Sequence, residues 1–311
     1  MQTVIITGGT GLVGSALCHH LVSNGFKIII LTRSPHDQKD IKGVSYAAWD
    51  IKSQTIDLKA IQDADYIIHL AGAGVMDKKW TAEYKKEIIN SRVLSSRLLV
   101  DTLKKNPNKV KGIVSASAIG FYGSDKLKGH YFKESEPASN DFLGQTCLKW
   151  EQSIEAAGNV QIPVCKLRTG IVLTDVGGAL DEFKKPLRFG VAAILGNGKQ
   201  VISWIHILDL CSMYHHAMIN HLVGSYNATA PLPVTNKKLM LTLAKLMRGN
   251  FFIPVHVPVF ILKLMLGGRS VEILKSTTVC ADKIKATGFT FLYPSVEEAL
   301  EEVLMKKTNK T

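Results

Sequence analysis

The sequence lacks paired cysteines and long apolar runs, and both absences narrow the class of protein. Its five cysteines are scattered and include no CxxC pair. The sequence therefore predicts neither a disulfide framework nor a metal site, and it fits a reducing compartment. The most apolar stretch, Phe251 to Leu266, is interrupted by two prolines, a histidine and a lysine. It is too short and too broken to span a bilayer, so we expect no membrane partner.

Acidic residues are outnumbered, with 26 Asp and Glu against 38 Lys and Arg, which gives a net charge of +12. The lysines form small clusters along the chain without interleaved aromatics, a pattern unlike that of nucleic-acid modules. We therefore expect a solvated basic surface and no nucleic-acid partner; an anionic cofactor or substrate would also fit part of the excess. The first apolar strand starts a few residues after Met1, so we expect no targeting peptide and a cytoplasmic location.

A glycine-rich turn near the start of the chain is the strongest positive signal. Val4 to Thr7 read as a buried strand, and an apolar-periodic run from Leu12 reads as a helix. Gly8, Gly11 and Gly14 lie three residues apart between and within them. This spacing is typical of a dinucleotide-binding turn, whose helix N-terminus holds a pyrophosphate. The expected contacts are Gly8, Thr10, Gly11, Leu12, Val13 and Gly14.

Strands and helices alternate over the first half of the chain. Short apolar strands are predicted after the turn, at 27–31, 44–48, 65–70, 112–116 and 164–173, with long helices at 79–105 and 141–157. This order predicts an α/β, Rossmann-type doubly wound parallel sheet. From 231 onward the chain is mostly helical, which predicts a small C-terminal substrate-capping domain. We expect the cofactor domain to comprise 1–173 plus 201–230, the small domain 174–200 plus 231–306, and a tail 307–311.

The residues after the second strand indicate which dinucleotide is bound. An acidic residue commonly stands there and binds the adenosine ribose hydroxyls. This chain has Arg33 and Ser34 instead. A guanidinium and a hydroxyl suit a 2′-phosphate, which a carboxylate would repel. The sequence therefore predicts NADP(H). Leu70, Ala71 and Gly72 end another strand with residues small enough to approach the ribose and pyrophosphate.

Taken together, these motifs resemble an atypical subgroup of the extended short-chain dehydrogenases/reductases, the "epimerase family" proteins, which are similar to nucleoside-diphosphate-sugar epimerases. The likeness runs nearly end to end. It includes the opening TGGTGLVG, SASAIGFYG from Ser115, RTGIVL from Arg168 and SWIH from Ser203. The resemblance implies a Rossmann fold that binds NADP(H). It also implies cofactor contacts from residues after strands and in the long helix, namely Arg33, Ser34, Leu70, Ala71, Glu87, Arg92 and Val172.

The catalytic pair of that superfamily is missing. Its members carry Tyr-x-x-x-Lys on the helix that follows the fifth strand, where the lysine lowers the pKa of the tyrosine. In extended members a glutamate commonly follows that tyrosine by eight residues. If Glu151 is this glutamate, Leu143 and Cys147 occupy the catalytic positions. Lys149 would point away from them on the helix.

Three other residues remain as catalytic candidates. Ser115 or Ser117 could supply the hydroxyl at the end of the fifth strand, and Tyr122 could donate a proton or merely line the site. Our first hypothesis is an oxidoreductase or nucleotide-sugar epimerase-like enzyme acting on an unidentified small molecule. The alternative is a non-catalytic NADP(H) sensor or interaction protein. The substrate, the reaction and the oligomeric state are left open by the sequence.

Overall fold

The computed structural model describes residues 1–38 and 40–308. The strands are β1 Thr3–Thr7, β2 Lys27–Thr32, β3 Val44–Asp50, β4 Thr55–Ile56, β5 Tyr66–His69, β6 Ile113–Ala118, β7 Val164–Thr169, β8 Ile171–Leu173, β9 Val191–Leu195, β10 Val201–Ile202, β11 Trp204–His206, β12 Gly224–Ala228, β13 Val234–Thr235 and β14 Ile253–Val257. The helices are α1 Leu12–Ser23, α2 Leu58–Asp63, α3 Ala82–Lys105, α4 Phe142–Glu155, α5 Gly178–Leu187, α6 Ile207–Ile219, α7 Asn236–Arg248, α8 Val259–Leu266, α9 Ser270–Leu274, α10 Asp282–Lys285 and α11 Val296–Thr308.

The central sheet has eight strands in the order β12-β7-β6-β5-β1-β2-β3-β4. All neighbouring pairs are parallel except β3 with β4. The chain builds outward from β1 in one direction through β2 and β3, then returns to β5 on the other side of β1. This reversal is a topological switch point, where open α/β sheets bind ligands at the carboxyl ends of their strands. The predicted Rossmann-type fold is confirmed.

Helices cover both faces of this sheet, and alternate strand residues pack beneath them. Ile6 and Leu167 belong to the core under α1 and α6, whereas Ile5 and Ile113 belong to the core under α2 and α3. Parallel strands with helices on both sides are buried on both faces, which explains the unbroken apolar runs read from the sequence.

The single strand predicted at 164–173 is two strands. β7 ends at Thr169, Gly170 follows, and β8 pairs with β11 outside the central sheet. A Cβ at Gly170 would lie 2.6 Å from the Ser203 carbonyl oxygen. The chain can therefore leave the central sheet and pair with β11 only where the residue between β7 and β8 has no side chain. Strand β11, Trp204–His206, directly precedes α6, which begins at Ile207.

The C-terminal part of the chain has an apolar core of its own. Leu180 and Ile194 pack with Trp204, Leu239 and Leu300. This core joins segments from before and after β12; the division of the chain into two domains stays a prediction. Helix α11 continues to Thr308, so it includes the first two residues of the predicted tail; residues 309–311 lie outside the described part of the chain. Within that part, no helix is long and apolar enough to cross a membrane.

Candidate cofactor site

The glycine turn connects β1 to α1 at the switch point. Gly8 has φ +69°, a conformation that glycine adopts at no steric cost. A Cβ on Gly14 would lie 2.2 Å from the Gly8 carbonyl oxygen, so glycine is required for the helix to pack against the turn. Helix α1 starts after Gly11 with no side-chain cap and no acidic residue in its first turn. Its first N–H groups and positive dipole therefore favour a bound anion.

Thr7, the last residue of β1, links the turn to the end of β5. Its hydroxyl oxygen accepts hydrogen bonds from the backbone N–H groups of Leu70 at 3.1 Å and Ala71 at 3.2 Å. It lies 2.7 Å from Nδ1 of the fully buried His69. Because Thr7 accepts from two amides, its own proton is directed to His69. One buried hydroxyl thus ties the end of β1 to the backbone that follows β5.

His69 is held from its other side by the long helix. Its Nε2 lies 3.1 Å from the Ser96 hydroxyl and 3.3 Å from that of Ser95. Burial, with a smaller contribution from the Arg92 charge, lowers the pKa of His69 to about 3. The imidazole is therefore neutral near pH 7, with Nδ1 accepting and Nε2 donating. Sequence reading missed this residue; its only signal was a histidine within the apolar run of β5.

Two residues predicted as cofactor contacts lie on α3 and behave differently. Arg92 donates to the carbonyl oxygens of Ala73 and Ile88, both at 3.0 Å, and its guanidinium lies 5.0 Å from the Trp150 ring. It therefore supports the backbone after Gly72, where an added Cβ would lie 3.0 Å from its Cζ. Glu87 is half-exposed and forms a 3.4 Å ion pair with Lys78. The structure brings neither into direct contact with the glycine turn.

Arg33 and Ser34 are exposed immediately after β2. Since β2 is the neighbour of β1, both residues follow the strand next to the one that leads into the glycine turn. Val172 lies on β8, partly exposed, and pairs with Ile205. The cofactor roles assigned to these residues stay predictions.

Leu143 and Cys147, predicted to stand at the positions of the catalytic pair, lie on α4. A Cβ on Gly120 would lie 3.3 Å from Leu143 Cβ and 4.0 Å from Cys147 Sγ, so both side chains do face the turn after β6. Cys147 is buried, and burial raises the pKa of its thiol to about 12. Lys149 is exposed on another side of the helix. Neither an acid–base tyrosine nor its lysine occupies these positions.

Tyr122, predicted as a candidate proton donor, lies inside a buried polar network. Its hydroxyl donates to Asn227 Oδ1 at 2.6 Å and accepts from Arg168 Nη1 at 2.9 Å. Burial raises the pKa of Tyr122 to about 12, despite the opposing Arg168 charge. The ring is 2% exposed. In this arrangement the phenol stabilises the interior, and its catalytic role stays a prediction that the geometry does not favour.

Arg168 and Glu151 are the centre of that network. They form a bidentate ion pair with distances of 2.8 and 2.9 Å, and Ser117 donates to the same carboxylate at 2.7 Å. Burial opposes ionisation of Glu151, but Arg168 and Ser117 offset it, and the pKa of Glu151 lies below its usual value. Ser115 is fully buried and donates to the Ala116 carbonyl. The two serines are thus satisfied by the protein itself.

The comparisons with known proteins agree with this geometry. The family model for the NAD dependent epimerase/dehydratase family matches residues 4–169, more than half of the chain. The chain belongs to this family. The matched segment begins in β1 and ends with β7, so it contains the glycine turn and the end of β5. A second model, a domain of unknown function (DUF1731), matches residues 257–303 in the C-terminal unit.

Close relatives in sequence carry the same general description. An epimerase family protein of Staphylococcus aureus (strain MRSA252) is 35% identical over 308 residues, covering 98% of this chain and all of that protein. One from Staphylococcus haemolyticus is 34% identical over 305 residues, covering 98% and 99%. This chain is thus an atypical short-chain dehydrogenase/reductase that is epimerase-like and belongs to an NAD(P)-binding family, as the sequence motifs predicted.

Solved structures extend the likeness to a bound cofactor. Human epimerase family protein SDR39U1, solved with NADPH, is 27% identical and superposes with a TM-score of 0.84 over 98% of this chain and 99% of its own. A nucleoside-diphosphate sugar epimerase from Corynebacterium glutamicum is 28% identical with a TM-score of 0.75, and the match covers 97% of this chain and 58% of that one. UDP-N-acetylglucosamine 4-epimerase from Bacillus cereus, at 19% identity and a TM-score of 0.76, shares the fold.

Proposed function

We propose that this protein binds NADP(H) and acts on a small-molecule substrate as an oxidoreductase or epimerase-like enzyme. The observation that carries the cofactor choice is the pair Arg33 and Ser34, exposed at the end of β2 where an acidic residue would favour NAD(H). The human relative solved with NADPH supports the same choice.

The residues at the glycine turn support the proposed binding of the pyrophosphate. The uncapped start of α1 suits the pyrophosphate, and a Cβ on Gly8 would come within 3.1–3.2 Å of the Leu70–Ala71 backbone. Only a glycine lets that narrow floor form. Thr7 and Arg92 hold the backbone from Leu70 to Ala73 in place. When bound, the nicotinamide supplies or accepts a hydride.

The C-terminal unit is proposed to cover the substrate. The start of α5 approaches the glycine turn, since a Cβ on Gly177 would lie 3.3 Å from Leu12. Residues of this unit would therefore orient a substrate and exclude water. Which side chain moves a proton is open: Ser115, Ser117 and Tyr122 are candidates from the sequence, but all three are buried and hydrogen-bonded.

A second candidate is an NADP(H) sensor or interaction protein that carries out no reaction. The observation in its favour is the corner between β6 and α4, where Leu143 and Cys147 face the turn in place of an acid–base pair. A chain of this kind would bind the cofactor and report its state to a partner.

The cofactor assignment is tested by titrating the protein with NADPH and with NADH. Arg33→Asp should weaken NADPH binding by roughly 10–100-fold, because a charge-assisted contact is lost and a repulsive charge is added. NADH binding should change little. Arg97→Asp, the same charge change on an exposed residue of α3, is the control. Equal losses for both cofactors would remove the 2′-phosphate assignment.

The two candidate functions are separated by turnover. The protein is incubated with NADPH and a panel of carbonyl compounds and nucleotide sugars, and nicotinamide absorbance and product identity are followed. Turnover that disappears in Ser117→Ala or Tyr122→Phe, with folding intact, supports the enzyme. Tight binding without turnover across a broad panel favours the sensor.

A further inference from the structure

The C-terminal unit carries an unusual concentration of exposed apolar side chains. Phe251 is 87% exposed, Phe260 70%, Leu264 86% and Met265 66%. We refer to the exposed side chains of residues 245–271 as the basic apolar face. Monomeric proteins rarely leave such a stretch uncovered unless it contacts something.

The fold explains why these side chains point outward. β14 forms a two-stranded parallel sheet with β9 alone, and all but one of its residues are exposed. Helix α8 follows directly with the sequence VFILKLML, yet Leu262 is its one buried residue. A helix that is apolar nearly all round is normally packed on every side or in contact with lipid. The strand and the helix are separated by Pro258 alone, so their exposed side chains lie near one another in the chain.

The charge of this region has one sign. From Leu210 to Val271 the chain contains no Asp or Glu, and it contains six cations. Lys245, Arg248 and Lys263 are exposed within the face itself. Two acidic side chains outside this stretch are paired with lysines: Glu272 with Lys275 at 2.7 Å, and Glu182 with Lys185 at 2.6 Å.

We propose that the basic apolar face docks on the surface of an anionic lipid bilayer. Large apolar side chains would enter the interface while lysine and arginine contact acidic headgroups, the combination by which interfacial helices bind. Charge complementarity decides against a second copy of the chain, because a symmetric contact would bring the same cations together. The lack of a spanning helix among the described residues does not bear on contact of this peripheral kind.

This docking revises the expectation of no membrane partner, which rested on the lack of a spanning segment. It is independent of the proposed cofactor function. Phe260, Leu264, Lys245 and Lys263 lie outside the glycine turn and the ends of β2 and β5. NADPH binding can therefore serve as the test of folding for variants of the face.

The test is co-sedimentation of the full-length protein with vesicles of phosphatidylcholine alone or mixed equally with phosphatidylglycerol. We expect binding to the mixed vesicles only, weakened by raising NaCl from 0.1 to 0.5 M. Phe260→Ser with Leu264→Ser should lower the partition coefficient about tenfold or more, through lost apolar burial. Lys245→Gln with Lys263→Gln should also lower it about tenfold. The matched controls, Leu127→Ser with Leu292→Ser and Lys104→Gln with Lys105→Gln, alter equally exposed residues elsewhere and should retain binding.

Three results would overturn the proposal. The first is no binding to the mixed vesicles at millimolar lipid. The second is equal loss of binding in the control variants, which would indicate general charge attraction. The third is a dimer, measured by light scattering without lipid, that Phe260→Ser with Leu264→Ser dissociates; the face would then be covered by a second copy.

Discussion

The glycine turn and the corner formed by β6, β7 and α4 differ in how their polar groups are used. At the glycine turn, the first N–H groups of α1 have no side-chain cap. The Thr7 side chain holds the neighbouring Leu70–Ala71 backbone in place. At the corner of β6, β7 and α4, the polar side chains are engaged with one another: Glu151, Arg168, Ser117 and Tyr122 form a closed network. The turn therefore keeps backbone groups available to a ligand, whereas the polar groups of the corner are used within the protein.

The largest expected effect comes from breaking the closed network. Arg168→Leu leaves the Glu151 carboxylate buried without its partner and should lower the free energy of unfolding by about 3–5 kcal/mol. Adding Glu151→Leu should restore much of that loss, because the uncompensated charge is removed. Urea denaturation measures both. Lys185→Leu, which breaks an exposed pair, should cost less than about 1 kcal/mol; a similar cost for Arg168→Leu would show that the network contributes little.

The turn is tested by adding one methyl group. Gly14→Ala places a Cβ against the Gly8 carbonyl and should cost about 3 kcal/mol of stability through overpacking, with loss of NADPH binding. Gly158→Ala is the control, because no atom lies within 4 Å of the added Cβ there. Thermal unfolding and calorimetric titration provide the two measurements. Wild-type NADPH affinity in Gly14→Ala would contradict the close packing of helix and turn.

The buried His69 makes the stability of the folded protein depend on pH. Because the pKa of His69 is about 3 in the folded protein and near 6.5 unfolded, the unfolded chain binds one more proton between these values. Stability should therefore fall on acidification below about pH 6.5, with a slope from this residue approaching about 1.4 kcal/mol per pH unit. His69→Gln should flatten the curve by that amount. The exposed His36→Gln should retain the wild-type slope, and equal curves for all three proteins would refute the assignment.

The smallest expected loss of stability comes from Tyr122→Phe, which distinguishes a structural role of Tyr122 from a catalytic one. Tyr122→Phe removes partners of Asn227 and Arg168 and should cost about 1–3 kcal/mol, measured by urea denaturation. Tyr131→Phe, at a residue 46% exposed, should cost nothing measurable. If Tyr122 instead donates a proton, the rate of any detected turnover would drop while stability stayed unchanged.

Sequence reading was strongest where local chemistry decides the structure. The strand, the three glycines and the helix of the first turn were predicted because each constraint acts within a few residues. Family membership followed from motifs of the same kind. The Gly170 break was missed because it depends on the Ser203 carbonyl, more than thirty residues away in the chain. The closed network was missed for the same reason: Tyr122 and Asn227 meet only once β6 and β12 stand on either side of β7.

The crossing at Gly170 has a consequence for how this fold can diversify. The chain leaves the central sheet after β7 and returns to it at β12, the strand adjacent to β7. An excursion whose two ends are neighbours can be lengthened, shortened or exchanged without altering the order of the strands it departs from. The stretch from β8 through β10 can therefore change in length as long as its pairings with β13 and β14 are kept. Changes in that stretch would alter the residues near a substrate and leave the glycine turn and the central sheet unchanged.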